Sequence, residues 1–268
     1  MNILTIDTST DIELIALSVN GKIFQYCDYA GQSHSVTMFD NISSLLSQAS
    51  ITINDLDLIG TGIGPGSFTG IRISVSTARM FAQILKIPLV GIKSQEIYAA
   101  SVSCPGGKTV LAAFDAKKSR VFAGIYNFKN VQSVETQCIA SLQLIEETIS
   151  TLPYKQSMPC LYSTLIDPGD YYMEEILESA KNHESIKDLK ELICIGDGCE
   201  KYIEVIDNFS KQNGFIYTFI DKFLPDGKAA CELTLRKYNE SPERYIDFEN
   251  TVPFYARKSD AESIKYGK

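Results

Sequence analysis

The chain has 268 residues, a formal net charge of −8, 44% hydrophobic residues and 22% charged residues. That length and balance fit one large domain or two small ones, with a core that needs neither disulfides nor a metal. The acidic balance makes the chain a poor stand-alone binder of nucleic acid, which needs clustered Lys and Arg, and no run approaches the roughly 18 apolar residues of a membrane span.

The chain starts Asn2-Ile3-Leu4-Thr5-Ile6-Asp7. No basic stretch leads into a long apolar run there, so no signal peptide is expected and the expected location is cytoplasmic. Residues 3–7 form a continuous apolar run and predict a buried strand. Residues 13–19 and 22–29 flank Asn20-Gly21, the strongest short hairpin signal. In residues 35–49, Val36, Phe39, Ile42, Leu46 and Ala49 follow the helical period, with Ser33 placed to cap the start. His34 stands beside that start with Met38 four residues on, so a two-His metal pair is not available, and none of the seven cysteines forms a CxxC. No metal site is expected.

Residues 56–62 predict a second buried strand. It runs into Gly62-Ile63-Gly64-Pro65-Gly66-Ser67-Phe68-Thr69-Gly70-Ile71-Arg72. A glycine turn that opens a helix presents backbone N–H groups and the positive end of the helix dipole to an anion. It is not a phosphate loop of the Gly-Lys-Ser/Thr type, because no such triplet follows. It is not a dinucleotide fingerprint either: the spacing is Gly64-x-Gly66-x-x-x-Gly70, and no acidic residue ends the next strand at 89–92. Pro65 also removes one donor. Two readings remain, a tight strand–helix turn and an anion site. Asp7-Thr8-Ser9 ends the first strand, where a carboxylate can hold a hydrated metal ion and the following hydroxyls can approach phosphate, or where the residues simply start a turn, and Gly196-Asp197-Gly198 allows the same two readings. The candidate nucleotide- or anion-binding residues are therefore Asp7, Thr8, Ser9, Gly64, Gly66, Ser67, Gly196, Asp197 and Gly198.

The helix expected at 70–86, closed by Pro88, has three stripes. Arg72, Ser76, Arg79, Gln83 and Lys86 form a narrow polar one. Ile71, Val75, Ala78, Ala82 and Leu85 form a second, and Ile73, Thr77, Met80 and Ile84 a third. A helix covering one sheet face needs only about a 100° apolar arc. This one is apolar over most of its circumference, so a second element must cover it: either the 35–49 helix or a partner subunit.

Residues 89–92 read as a short strand and residues 94–100 as a helix. Cys104-Pro105-Gly106-Gly107 punctuates the chain. The pattern then partly recurs. Strands are expected at 109–115, 120–127 and 131–139, and a helix near 141–150. Asp115-Ala116-Lys117-Lys118-Ser119-Arg120 reads as a solvated charged turn or, less often, a binding patch. Residues 151–190, with three prolines, read as an irregular insertion carrying a helix near 173–182. A strand at 192–195, a helix from 198 to about 209, a helix at 227–238 and a polar tail complete the chain. Strand, hairpin, helix, strand, helix, twice over, predicts two related α/β lobes. No Ser–His–Asp set or nucleophile elbow is visible, and no catalytic residue is assigned.

The residues Ile3-Leu4-Thr5-Ile6-Asp7-Thr8-Ser9, the string Gly64-Pro65-Gly66-Ser67-Phe68-Thr69-Gly70-Ile71-Arg72, and islands at His34-Ser35, Asp115-Ala116 through Gly124 and Pro253-x-Tyr255-x-Arg257-x-x-Asp260-Ala261-Glu262 resemble the TsaB (YeaZ) family of bacterial tRNA threonylcarbamoyladenosine biosynthesis proteins. The match is close over the first hundred residues and confined to islands beyond them. The resemblance implies an α/β, two-lobed actin/Hsp70-like (ASKHA, ribonuclease H-like) fold with mixed sheets flanked by helices. Its lobes would be 1–103 and 104–268, the second with an irregular insertion around 140–190 and a last segment returning to the first. It implies a non-catalytic paralogue of the TsaD transferase subunit. TsaD-like proteins carry His-x-x-x-His where this chain has His34-Ser35-Val36-Thr37-Met38. The implied role is to bind and support TsaD, joined by the TsaE ATPase, while TsaD transfers a threonylcarbamoyl group to the adenosine beside the anticodon. Contact with tRNA would be indirect, and a homodimer is implied when the partner is absent. No cofactor is expected for the isolated chain, with ATP or ADP at an interface of the complex left open. Stripe pattern and resemblance together give the expected partner surface: Val36, Phe39, Ile42, Leu46, Ile71, Val75, Ala78, Ala82 and Leu85. The rival readings are an ATP-dependent small-molecule kinase of the same fold and, more remotely, a metalloprotease-like hydrolase.

Overall fold

In the computed structural model, residues 1–29, 34–102, 108–128, 162–183 and 189–256 are described. The first sheet contains β1 (Asn2–Asp7), β2 (Ile12–Val19), β3 (Lys22–Tyr29), β4 (Leu58–Gly62) and β5 (Leu89–Ile92), in the order β3-β2-β1-β4-β5. The β2–β3 hairpin turns on Asn20 (φ 46°) and Gly21 (φ 85°), both left-handed as the tight hairpin requires. β1 pairs antiparallel with β2 and parallel with β4, which is parallel to β5. Helices α1 (His34–Gln48), α2 (Phe68–Leu85) and α3 (Ser94–Ala100) follow β3, β4 and β5.

The second sheet repeats this plan. It contains β6 (Thr109–Asp115), β7 (Val121–Phe128), β8 (Tyr162–Tyr171), β9 (Glu191–Ile195) and β10 (Ile216–Ile220), in the order β8-β7-β6-β9-β10. The antiparallel and parallel pairings fall at equivalent places. Helix α4 (Met173–Asn182) follows β8, α5 (Asp197–Lys201) and α6 (Ile203–Asn213) follow β9, and α7 (Gly227–Glu240) follows β10. This duplicated mixed sheet with flanking helices is the two-lobed actin/Hsp70-like fold expected from the sequence.

Both sheets are covered on both faces, which is why their central strands read as continuous apolar runs rather than alternating ones. Leu4, Ile6, Ile15 and Leu17 pack on Met38, Ile42, Leu45 and Leu46 of α1. The opposite face, with Ile3, Leu14, Leu58 and Val90, meets Ile97 of α3 and Ala230 and Leu233 of α7. In the second sheet, Leu111, Ala123, Ile125 and Cys194 pack on Ile176 and Leu177 of α4 and Ile206 and Phe209 of α6. Its other face, with Val110, Ala112, Phe114 and Ile195, packs on Tyr98 and Ala99 of α3. The helix that follows each sheet therefore covers the other one. Each fully buried Leu, Ile or Phe in these layers contributes about 1.5–3 kcal/mol.

Several expectations need correction. β8 occupies ten residues of the stretch read as irregular. It lies at the sheet edge, where Pro168 lacks only a donor that no neighbour needs, and its register shifts opposite Ala123–Ile125. The helix read through residue 209 breaks at Tyr202 into α5 and α6. β10 was not foreseen. α2 starts at Phe68, two residues early, because Ser67 caps it by accepting a hydrogen bond from the Gly70 N–H. It ends at Lys86 in the left-handed conformation (φ 56°), before Pro88. The Ser33 cap, the 104–107 boundary, the 131–139 strand, the 141–150 helix and the motif residues 257–262 lie outside the described residues. No described helix is long and apolar enough to cross a membrane.

Candidate functional site

Each first strand of the repeat ends on an aspartate, Asp7 on β1 and Asp115 on β6. Asp7 is buried, and its Oδ1 accepts the Ser9 N–H at 2.7 Å. The next two residues lie against the glycine turn. The Thr8 hydroxyl donates to the Gly70 carbonyl at 2.7 Å, and the Ser67 N–H donates to the Ser9 carbonyl at 2.6 Å. A Cβ at Gly66 would meet the Ser9 carbonyl, and one at Gly70 the Thr8 carbonyl. These two glycines are needed because the chain's own backbone approaches them. Gly64 (φ +93°) exchanges hydrogen bonds with Ser94, its N–H donating to the Ser94 Oγ and its carbonyl accepting the Ser94 N–H. The Gln95 side chain donates to the carbonyls of Pro65 (3.0 Å) and Phe122 (3.2 Å), tying the turn to the second sheet.

In the second copy Gly196 also takes φ +93°, with the Ala113 carbonyl where a Cβ would sit. The Asp115 N–H donates to Asp197 Oδ1 at 3.2 Å. The Asp115 carboxylate receives Lys117 Nζ and Lys201 Nζ, each at 2.9 Å. Burial alone would raise the Asp115 pKa, but these lysine hydrogen bonds outweigh it and hold the carboxyl below its ordinary value. Asp197 moves the other way: burial first, then Asp115 and Asp11, push its carboxyl up.

The two ends face each other across a cleft of about 510 Å³. Five of the nine candidate residues line it: Ser9, Gly66, Ser67, Gly196 and Asp197. Asp7, Thr8, Gly64 and Gly198 do not, because they are packed beneath its walls. The Ser9 Oγ is buried without a hydrogen-bond partner among the described residues. Asp11, Asp115, Glu200, Lys117 and Lys222 add charge to the cleft, and Tyr98, Phe114, Phe122, Phe219 and Phe223 add aromatic surface. The turn read as a solvated loop or, less often, a binding patch thus supplies part of a wall. The equivalence of Asp115 to Asp7 in the repeat was the signal that could have placed it.

The polar tail, whose last segment was expected to return to the first lobe, lies against that lobe and also reaches the cleft. Past α7 the chain crosses β5 and the glycine turn: the Thr251 hydroxyl donates to the Leu89 carbonyl, and the Phe254 N–H to the Ile63 carbonyl at 2.7 Å. Tyr255 then packs on Phe68 with ring centres 5.0 Å apart, and Arg72 Nε donates to its hydroxyl at 3.1 Å. Phe254, Tyr255 and Ala256 close one side of the cleft.

The expected partner surface is largely interior. Ile42, Leu46, Ile71, Val75, Ala78 and Ala82 are all buried within the chain, Ala78 and Ala82 against Ile59 and Leu89. The second stripe of α2 thus faces its own sheet, and Leu85 is half-buried beside α1. The side chain of Val36 lies outside the described residues. Phe39 is 47% exposed, and the third stripe emerges at Met80 (38%) and Ile84 (68%). Phe39 meets Phe81 edge-on at 6.2 Å, which joins α1 to α2. Between these helices runs an open groove of about 460 Å³.

Comparisons with known proteins agree with this fold. The family model described as TsaD, tRNA N6-adenosine threonylcarbamoyltransferase, matches residues 28–264. The tRNA threonylcarbamoyladenosine biosynthesis protein TsaB of Bacillus subtilis is 36% identical over 131 residues, 48% of this chain and 57% of that protein. TsaB of Buchnera aphidicola subsp. Schizaphis graminum is 32% identical over 157 residues, 57% of this chain and 75% of that protein. The match thus spans little more than half of the Bacillus relative. The solved structure of YeaZ from Pseudomonas aeruginosa superposes with a TM-score of 0.66 at 19% identity, over 95% of this chain and 99% of that one, a likeness of fold.

Proposed function

The chain belongs to the TsaD family and, within it, to the TsaB/YeaZ group, and from that membership we propose that it is a non-catalytic, scaffold-type subunit in tRNA threonylcarbamoyladenosine biosynthesis. It binds a TsaD-like transferase subunit through the outer face of α1 and α2, with a TsaE-like ATPase joining them. The transferase subunit carries out the threonylcarbamoyl transfer, and tRNA meets this chain only through the complex. The lobes divide at 103/104.

One observation carries the non-catalytic reading. The glycine turn, where an anion would settle on the start of α2, is already covered by the Thr8 and Ser9 backbone, with the Ser67 N–H spent on the Ser9 carbonyl. What presents itself to a partner is instead apolar: Phe39, Met80 and Ile84 beside the α1/α2 groove. Exposed apolar surface of this kind marks contact sites in soluble proteins.

A kinase-like reading draws on the cleft. It lies at the carboxyl ends of parallel strands, where α/β proteins bind ligands, and it holds the Ser9 Oγ, without a partner among the described residues, and the carboxylates Asp11, Asp115 and Asp197. Calorimetry of the isolated chain with Mg-ATP, followed by a phosphate-release assay, separates the two. The scaffold reading predicts no turnover. Sustained phosphate release by the chain alone overturns it.

A further inference from the structure

The cleft between the two sheets holds more negative charge than its ion pairs account for. Lys117 lines it but is spent on Asp115, which Lys201 also contacts. Asp11, Asp197 and Glu200 line it as well, and among the described residues none of the three has an ion-pair partner. Lys222, the other lysine on the lining, has none either. Asp11 lies between β1 and β2, and the other two lie on α5, so carboxylates approach from both halves of the repeat. They act on one another: after burial and Asp115, Asp11 pushes the Asp197 carboxyl up.

Much of the remaining lining is aromatic. Tyr98 meets Phe114 edge-on with ring centres 4.6 Å apart, and Phe223 lies 6.2 Å from Tyr98. Ser9 also lines the cleft. It is 1% exposed, and its Oγ has no hydrogen-bond partner among the described residues. A buried hydroxyl left so costs free energy that a ligand's polar atom would recover.

These features select a ligand class. A polyphosphate meets three carboxylates and one free lysine, and the start of α2 is already covered by the Thr8–Ser9 backbone. A bare divalent metal ion needs several ligands converging on one point, and no group of three His, Cys, Asp or Glu side chains suited to a metal occurs among the described residues. A neutral apolar molecule satisfies the rings and leaves the carboxylates unpaired. An organic cation satisfies both, because aromatic faces attract cations as carboxylates do. We propose that the cleft binds an organic cation, an ammonium or guanidinium group on an apolar body, with its charge among Asp11, Asp197 and Glu200, its body against Tyr98, Phe114 and Phe223, and a hydrogen-bonding atom at the Ser9 hydroxyl. This goes beyond the scaffold reading and does not depend on it. Two sources carry the chemistry: a free small amine, and an Arg or Lys side chain presented by another chain.

The test is calorimetry of the full chain at about 50 and about 300 mM salt. Tyramine and agmatine serve as free cations and N-acetylarginine amide as a presented side chain. The neutral alcohol 2-(4-hydroxyphenyl)ethanol is the uncharged counterpart of tyramine, and Mg-ATP is the polyanion. At least one cation binds, at least about tenfold more tightly than the alcohol and than Mg-ATP, and more weakly at the higher salt. Tighter binding of the capped arginine than of agmatine identifies a presented side chain as the source, and the reverse identifies a free amine. The double variant D11N/E200Q, at two exposed positions, unfolds at the wild-type temperature and loses the preference for charge. D197N, whose amide oxygen still accepts the Asp115 N–H, loses part of it. Ser9→Ala weakens every cation that binds. Equal binding of tyramine and the alcohol, tighter binding of Mg-ATP, full affinity and preference in all three variants, or no binding of any cation at millimolar concentration overturns the inference. The scaffold reading is decided separately, by whether the chain retains the TsaD-like subunit.

Discussion

Gly70 and Thr8 are 62 residues apart in the chain, yet the Thr8 hydroxyl and carbonyl both lie against Gly70. The added methyl of Gly70→Ala would meet backbone, which cannot swing aside as a side chain can. The variant should lose about 3 kcal/mol of unfolding free energy in urea, whereas a turn that merely cradled a ligand would tolerate the methyl in the free protein. Asp115 allows a second check. Its carboxyl is held below the ordinary value, so its contribution to stability is fully present above the unfolded-state pKa, near the usual 3.8, and is lost as pH falls through the lowered folded value. Asp115→Asn should therefore show a shallower loss of stability than wild type below about pH 4 in urea titrations. Unchanged acid sensitivity would mean that Lys117 and Lys201 do not set this pKa. At this scale the sequence was half legible. It showed that glycines at 64, 66 and 70 meant close approach, but not that the approaching group was the Thr8–Ser9 backbone, because that contact joins the loop after β1 to the glycine turn and the first turn of α2, far apart in sequence.

The elements were easier to read than the faces they present. The hairpin at Asn20-Gly21, the short strand 89–92 and the helix 94–100 all stand where turn chemistry and period placed them. β8 was missed because Asp167-Pro168-Gly169 carries turn residues inside an edge strand, where they are tolerated. The stripes of α2 were counted correctly, but their destinations depend on packing. Ala78 and Ala82 are small because β4 and β5 lie against them, not because a partner helix does. Ala82→Arg should therefore destabilise the fold itself by about 4 kcal/mol or more. Ile84→Glu, on the 68% exposed side chain, should change stability by less than about 0.5 kcal/mol and still weaken binding of the TsaD-like subunit. Thermal unfolding and pull-down of the two variants side by side would show whether the exposed third stripe, rather than the buried second one, is the contact face.

At the scale of the whole molecule, the internal duplication was legible in outline, since strand, hairpin, helix, strand and helix recur. It was not legible in detail, because the second copy lacked β8 and β10 on paper. The duplicated sheets put two aspartate-ended strands and two glycine turns across one cleft, and they leave α1 and α2 as the outer layer of the first sheet. Function then depends on which feature is used, the cleft or the outer layer. The most direct measurement is co-purification of the tagged chain with the TsaD-like subunit of its own genome, wild type beside the double variant M80E/I84E, both checked for unchanged thermal unfolding. The account predicts that wild type retains the subunit and the variant loses it. Equal retention by both, or by neither, would contradict it.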